Sequence, residues 1–475
     1  MTKTQIIILT VLGLILCAIG AGLVSVLYLY QAGLTASGPP QPVIVSATRP
    51  PPPPTATPTR RPTVALPPAQ DTPRPTPTAT YAVKPEQINE RKIREITEFV
   101  EQWRNLSLPQ PIPIEFLRRA QLRDEWAAAS YERETLEAIR TQQAFYQAMG
   151  LIEPGVDLLA TTLEAQAAGI MGYYTPDEKT MYIIAESVNM FAEEEMIFAH
   201  EYTHALQDYH FDLSNFFDAD VSADAQLAAR SLPEGDARLV QDLFTWENIT
   251  QDQLDYTVYR YLFQEQLQQE GVSPALGIFT YFPYSAGEFF AVYLFIEGNY
   301  SWDKVNAAYR QPPVSTEQVM HPEKYLADER PVPIKLPDLG PELGQAWQEL
   351  DRDVLGEAGF LVWLIDQTSD QTAIDGAAGW GGDTYALWTD EDGRLLLVEQ
   401  SQWDSQAEAV EFGEAFTIYL NRRTGSQPAE TVGAASIWMA DSGPILLSRN
   451  DNRVLIIVAP DSDTLSAVRR QFDGF

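Results

Sequence analysis

The chain has 475 residues, 45% hydrophobic and 11% aromatic, which is enough apolar material for folded cores and too much for a wholly disordered chain. Its 66 acidic against 32 basic residues leave a formal charge of −34, which would repel phosphates and so argues against nucleic acid as a partner. The single cysteine, Cys17, lies in the apolar N-terminal run, so the folded part holds no disulfide, and any metal must use histidine and carboxylate ligands.

Residues 1–4 form a short cytoplasmic N-terminus. Gln5 to Tyr30 carry no charge and are long enough to cross a hydrocarbon layer of about 30 Å as a helix. Tyr28 and Tyr30 suit the interfacial aromatic belt, and Lys3 on the short side favours an inside N-terminus. The expectation is a single-pass anchor in the cell membrane with the bulk of the chain extracytoplasmic; the run is longer than the apolar core of a cleaved signal peptide. Residues 31–80 are rich in Pro, Thr and Ala, a composition that builds no core and predicts a disordered, extended stalk on the order of 100 Å long.

From Gln87, apolar residues recur at helical spacing (Ile93, Ile96, Phe99, Val100, Trp103), and a second helical pattern runs from Pro113 to Met149. Both helices are expected to pack near the functional site. The stretch GIMGYYTPDEKTMYII (169–184) predicts two short strands around a turn, followed by a helix. The second strand, Met181–Ile184, either offers an edge to an extended peptide or completes the sheet. Ala205 to Tyr325 is expected to be mostly helical, with loops at Pro233-Glu234-Gly235, Phe282-Pro283-Tyr284 and Pro312-Pro313. Beyond a Pro-rich segment (331–342), the pattern predicts helices near Gly344–Asp366, a hairpin turning at Asp392-Gly393, a helix over Asp404–Asn421, further strands and a last helix. That is a small α+β module.

The helix after the hairpin carries the chemistry. Ala192 to Gln207 has apolar residues at helical spacing and no Gly or Pro. Within it, His200-Glu201-Tyr202-Thr203-His204 is an HExxH motif: the two imidazoles lie one turn apart on one face and can reach one Zn²⁺, while Glu201 points to the adjacent quadrant. With only four histidines in the chain, chance rarely produces that spacing. Glu201 is therefore the candidate base that activates water at the metal.

A catalytic zinc needs a third protein ligand. One candidate is Glu234, in LPEGDA (232–237), where a turn is expected to lead into a helix over Ala237–Trp246. The other is His210, since HEYTHALQDYH has the histidine spacing of the metzincins. Metzincins carry a helix-breaking Gly where this chain has Gln207. With the helix unbroken, His210 sits about 240° round from His204, which favours Glu234. Asp236 is a candidate to orient a ligand histidine, or a charge at a helix N-terminus.

HEYTHALQDYHFDL followed by LPEGDA resembles the gluzincin group of zinc metallopeptidases, and within it a largely uncharacterised bacterial membrane-anchored family; the resemblance covers roughly residues 165–330. It implies a His₂Glu zinc site of His200, His204 and Glu234. It also implies a Tyr or His that steadies the oxyanion, for which Tyr284 and His321 are the candidates.

The fold class expected is α+β: a transmembrane helix (5–30), a stalk (31–80), a mainly helical zincin-like metallopeptidase domain with a small sheet (81–335), and a C-terminal α+β module (336–475). The function expected is zinc-dependent hydrolysis of peptide bonds in an extracytoplasmic peptide or protein. The alternative is a catalytically inactive envelope protein that keeps the fold for binding or scaffolding.

Overall fold

The computed structural model describes residues 90–119, 133–158, 171–184, 190–216, 221–254 and 272–475. The expected membrane span and stalk lie outside them. Among the described residues, no helix is long and apolar enough to cross a membrane.

The first part comprises α1 (Glu90–Arg104), β1 (Ile114–Leu117), α2 (Arg133–Met149), β2 (Gly172–Thr175), β3 (Thr180–Ile184), α3 (Ala192–Phe211), α4 (Ala223–Asn248), α5 (Leu276–Glu297) and the short helices α6 (Asp303–Ala308), α7 (Thr316–Met320) and α8 (Pro322–Leu326). The expected hairpin is β2–β3, and α3 follows it. Pro113 to Leu117 does not begin a helix: Ile114–Leu117 pairs parallel with Met181–Ile184, because its alternating side chains lie on a sheet. The sheet order is β1-β3-β2. Consequently β3 is flanked on both sides and offers no edge, and the outer strands among the described residues are β1 and β2.

The expected loops at Pro233 and Pro283 are not loops. Each proline lies inside a long helix, α4 and α5 respectively. Proline removes one helical hydrogen bond and crowds the carbonyl four residues back, at a cost of about 3 kcal/mol in an isolated helix. Burial offsets that cost, since α3, α4 and α5 share one core through Phe198, Leu206, Leu232, Val240, Phe282 and Phe290.

The second part comprises α9 (Gly340–Leu343), β4 (Trp347–Asp353), α10 (Gly356–Ile365), α11 (Asp370–Ala377), β5 (Trp380–Asp390), β6 (Leu395–Trp403), α12 (Gln406–Thr424), β7 (Glu430–Val432), β8 (Ala435–Ala440), β9 (Gly443–Asn450), β10 (Arg453–Val458) and α13 (Ser462–Arg469). The strands form an antiparallel sheet in the order β4-β5-β6-β10-β9-β8-β7. Trp347–Asp353, expected to be helical, is its first strand. Alternation sends Tyr385, Leu387, Leu397 and Ile456 to one face and Ala386, Trp388, Leu396 and Ile457 to the other.

α2 belongs to this sheet rather than to the histidine helix. Its Phe145 and Met149 share a core with Phe360, Trp363 and Phe416. The Met149 carbonyl accepts hydrogen bonds from Trp363 Nε1 (3.1 Å), the Tyr419 hydroxyl (3.0 Å) and Arg423 Nη1 (2.9 Å). The two parts are thus joined through a common interior.

Candidate metal centre

Helix α3 is set by its ends and by burial. The Phe191 N–H donates to Glu194 Oε2 (2.9 Å), three glutamates in the first turn suit the positive end of the helix dipole, and Asp212 closes the helix in the left-handed region at φ 58°. Nearly all of Phe198 to Asp208 is buried. Asp208 ties this end to the hairpin by accepting from the Tyr174 hydroxyl and from Lys179, each at 2.7 Å.

His200 and His204 come one turn apart, with ring centroids 4.7 Å apart and rings near perpendicular. Glu234 reaches them from the middle of α4, not from the expected turn. Three donor atoms face one another: His200 Nε2 to His204 Nε2 is 3.1 Å, His200 Nε2 to Glu234 Oε2 is 3.3 Å, and His204 Nε2 to Glu234 Oε2 is 3.4 Å. Zinc bonds of 2.0–2.1 Å in a tetrahedron give ligand-to-ligand edges of roughly 3.3 Å. The three residues therefore fit such an ion without rearrangement.

The charges agree with that fit. Burial works against ionising Glu234, but the two imidazoles outweigh it and hold the carboxyl at about 2. Burial also opposes charge on His204, yet Glu234 carries it up to about 9. A carboxylate faced by two imidazole nitrogens has donor atoms that could hold a metal ion.

Two glycines bring α4 and α5 into backbone contact beside Glu234. A Cβ on Gly235 would lie 1.9 Å from the Gly287 carbonyl oxygen. The close crossing puts Tyr284, one turn before Gly287, against the site: its ring centroid is 6.0 Å from that of His200. Arg230, one turn before Glu234, lies within electrostatic reach of both Glu234 and Tyr284. The sequence offered no pattern for Arg230 beyond its place one turn before a candidate ligand.

Glu201 is buried under the hairpin. A Cβ on Gly172 would come within 3.2 Å of its Cγ, so β2 passes directly over the side chain. Burial raises its carboxyl to about 7, and the backbone N–H of Tyr174 hydrogen-bonds it. Glu201 Oε2 has no hydrogen-bond partner among the described residues.

The remaining candidates are engaged elsewhere. His210 is exposed and its Nε2 meets the Ser107 carbonyl at 2.9 Å; it does not join the two histidines. Asp236 neither orients a histidine nor starts a helix. It is buried inside α4, bound at both oxygens by Arg104 (2.8 and 3.0 Å) and by the Tyr309 hydroxyl (2.7 Å). His321 pairs with Glu357 (2.9 Å) on α10 and lies 3.9 Å from Glu323, so its partners are acidic groups at the junction with the second part. A further acidic group, Glu317, Glu329 and Asp404, is occupied by the Lys324 ammonium at 2.6, 2.7 and 2.5 Å, which leaves no cation vacancy there.

The role of Gln207 escaped the sequence. Its amide lies between the His204 ring and the Pro233 carbonyl, a bridge that only the packing of α3 on α4 creates. Comparison with known proteins reaches the second part alone: residues 345–469 match the family model of a domain of unknown function (DUF8575), spanning β4 to α13. No curated protein and no solved structure matches the chain.

Proposed function

We propose that this chain is a zinc-dependent peptidase that acts outside the membrane, tethered by residues 5–30 and held off by the stalk (31–80). The observation that carries the reading is the trio of donor atoms on His200, His204 and Glu234 at tetrahedral spacing, with Glu201 on the same helix. A zinc ion bound there would supply Lewis acidity toward a carbonyl and make water acidic enough to lose a proton near neutral pH.

The chain's own residues supply the rest. Glu201, buried and poised near pH 7 with one oxygen unpartnered, can take a proton from the attacking water and return it to the leaving amine. Tyr284 and Arg230 can donate to the negative charge that grows on the carbonyl oxygen. The Ile184 N–H bonds the Met171 carbonyl at 2.8 Å, and the antiparallel register then turns the N–H and C=O of Gly172 and the C=O of Tyr174 away from β3, the Tyr174 N–H being taken by Glu201. An extended peptide can add to that edge directly above Glu201.

The test is zinc content and peptide cleavage by the purified protein, with Glu201→Gln as control. Near-stoichiometric zinc in both, with cleavage only in the parent, is expected. A parent without zinc would sink the metal reading. Zinc with no cleavage of a broad peptide library would favour the scaffold alternative.

A further inference from the structure

Gln207 occupies the position where a broken helix would have carried a glycine, and it is fully buried. Its side chain makes two contacts: Oε1 lies 2.8 Å from His204 Nδ1, and Nε2 lies 3.0 Å from the Pro233 carbonyl oxygen. The second contact decides the first. A carbonyl oxygen only accepts, so the amide NH₂ must face Pro233 and the amide oxygen must face the imidazole. That oxygen also only accepts, so Nδ1 of His204 must carry its proton. Nε2 is then the ring nitrogen that faces His200 Nε2 and Glu234 Oε2, where a metal would replace its proton.

The same amide joins two helices. Pro233 immediately precedes Glu234 on α4, whereas His204 is on α3, so one side chain couples ligands contributed by different elements. His200 has no such support: its Nδ1 is buried without a hydrogen-bond partner among the described residues, and its ring is held by packing. We propose that Gln207 is a positioning residue that sets His204 as the tautomer ligating through Nε2 and locks its ring to the segment presenting Glu234. This rests on the metal site proposed above.

The experiment loads the whole protein with Co²⁺ and follows two quantities: the Kd by chelator competition, and the hyperfine-shifted Nδ1–H resonances of the ligand histidines. Gln207→Met keeps the shape and removes both hydrogen bonds; Kd should rise about 10- to 100-fold, and the Nδ1–H of His204 should exchange quickly with solvent or vanish. Gln207→Glu retains the acceptor for Nδ1 but has no donor for the Pro233 carbonyl, so it should keep that resonance while Kd rises less than in the Met variant. A Met variant with parental Kd and an unchanged resonance would overturn the role of Gln207 while leaving the metal site intact. Should the Met variant fail to fold, a Glu variant that bound Co²⁺ but lost the His204 resonance would overturn the tautomer role equally. A parent protein that takes up no Co²⁺ would instead refute the site itself.

Discussion

Gly235 on α4 and Gly287 on α5 touch backbone to backbone: a Cβ on Gly287 would stand 2.1 Å from the Ser231 carbonyl oxygen, and one on Gly235 1.9 Å from that of Gly287. No side chain can be accommodated there without moving a helix. Gly287→Ala should cost about 3 kcal/mol, at the upper end of what overpacking does. Because the displaced helix carries Glu234 or Tyr284, bound zinc should fall as well. Chemical denaturation and metal analysis on the same sample check both effects, and an alanine variant of parental stability would contradict the crossing.

The third ligand can be tested by paired substitution. Glu234→Ala should remove most bound zinc, leaving two histidines that hold it weakly, whereas His210→Ala should keep near-parental content because His210 faces the Ser107 carbonyl. Zinc retained in the first variant and lost in the second would reverse the assignment.

The buried pair Arg104–Asp236 anchors α1 to α4 two residues beyond Glu234. Arg104 is fully buried, stacked 4.3 Å from the Trp302 ring and bonded to Asn306 (2.7 Å). Asp236→Ala leaves an uncompensated guanidinium in the interior and should destabilise by about 3–5 kcal/mol. Replacing both partners with apolar residues of similar volume should recover much of that loss in urea denaturation. A double variant no better than the single would mean that the cost lies in packing and not in charge.

Stability should fall as pH rises through neutrality. Burial lifts Asp224 to about 7, against hydrogen bonds from Thr316; burial lifts Asp383 to about 6, and burial lifts Glu317 to about 8. Unfolded carboxyls titrate near 4, so from about pH 4 to about pH 8 the native state holds more protons, and the stability these groups contribute at low pH is lost as they ionise. The Tm measured by calorimetry should drop by several degrees from about pH 5.5 to about pH 8. Asp224→Asn should flatten that slope, and a Tm that rises over the same range would contradict the reading.

Much of this architecture is legible from local pattern. The β2–β3 hairpin, the histidine helix and most of the C-terminal strands follow from periodicity and turn residues, because each element's burial is written into its own alternation. What escapes is set by partners far along the chain. Pro233 and Pro283 punctuate the sequence as loop signals, yet the mutual approach of Gly235 and Gly287 keeps both in helices. Ile114–Leu117 and Trp347–Asp353 are too short or too charged to declare themselves strands without a neighbour to pair with. His200, Glu201 and His204 lie within one helical turn, so their spacing reveals them. Gln207 is adjacent in sequence, but its part depends on where a carbonyl of another helix points.

The grip on the Met149 carbonyl has a consequence for synthesis. α2 leaves the ribosome 214 to 274 residues before Trp363, Tyr419 and Arg423, and until those arrive its last carbonyl lacks the three donors that hold it. A nascent chain stopped at the linker near residue 335 would present Phe145 and Met149 to solvent and to other chains. Maturation of the histidine-bearing part is therefore tied to completion of the whole polypeptide, and a truncated product should be captured by chaperones or aggregate rather than persist as a folded fragment.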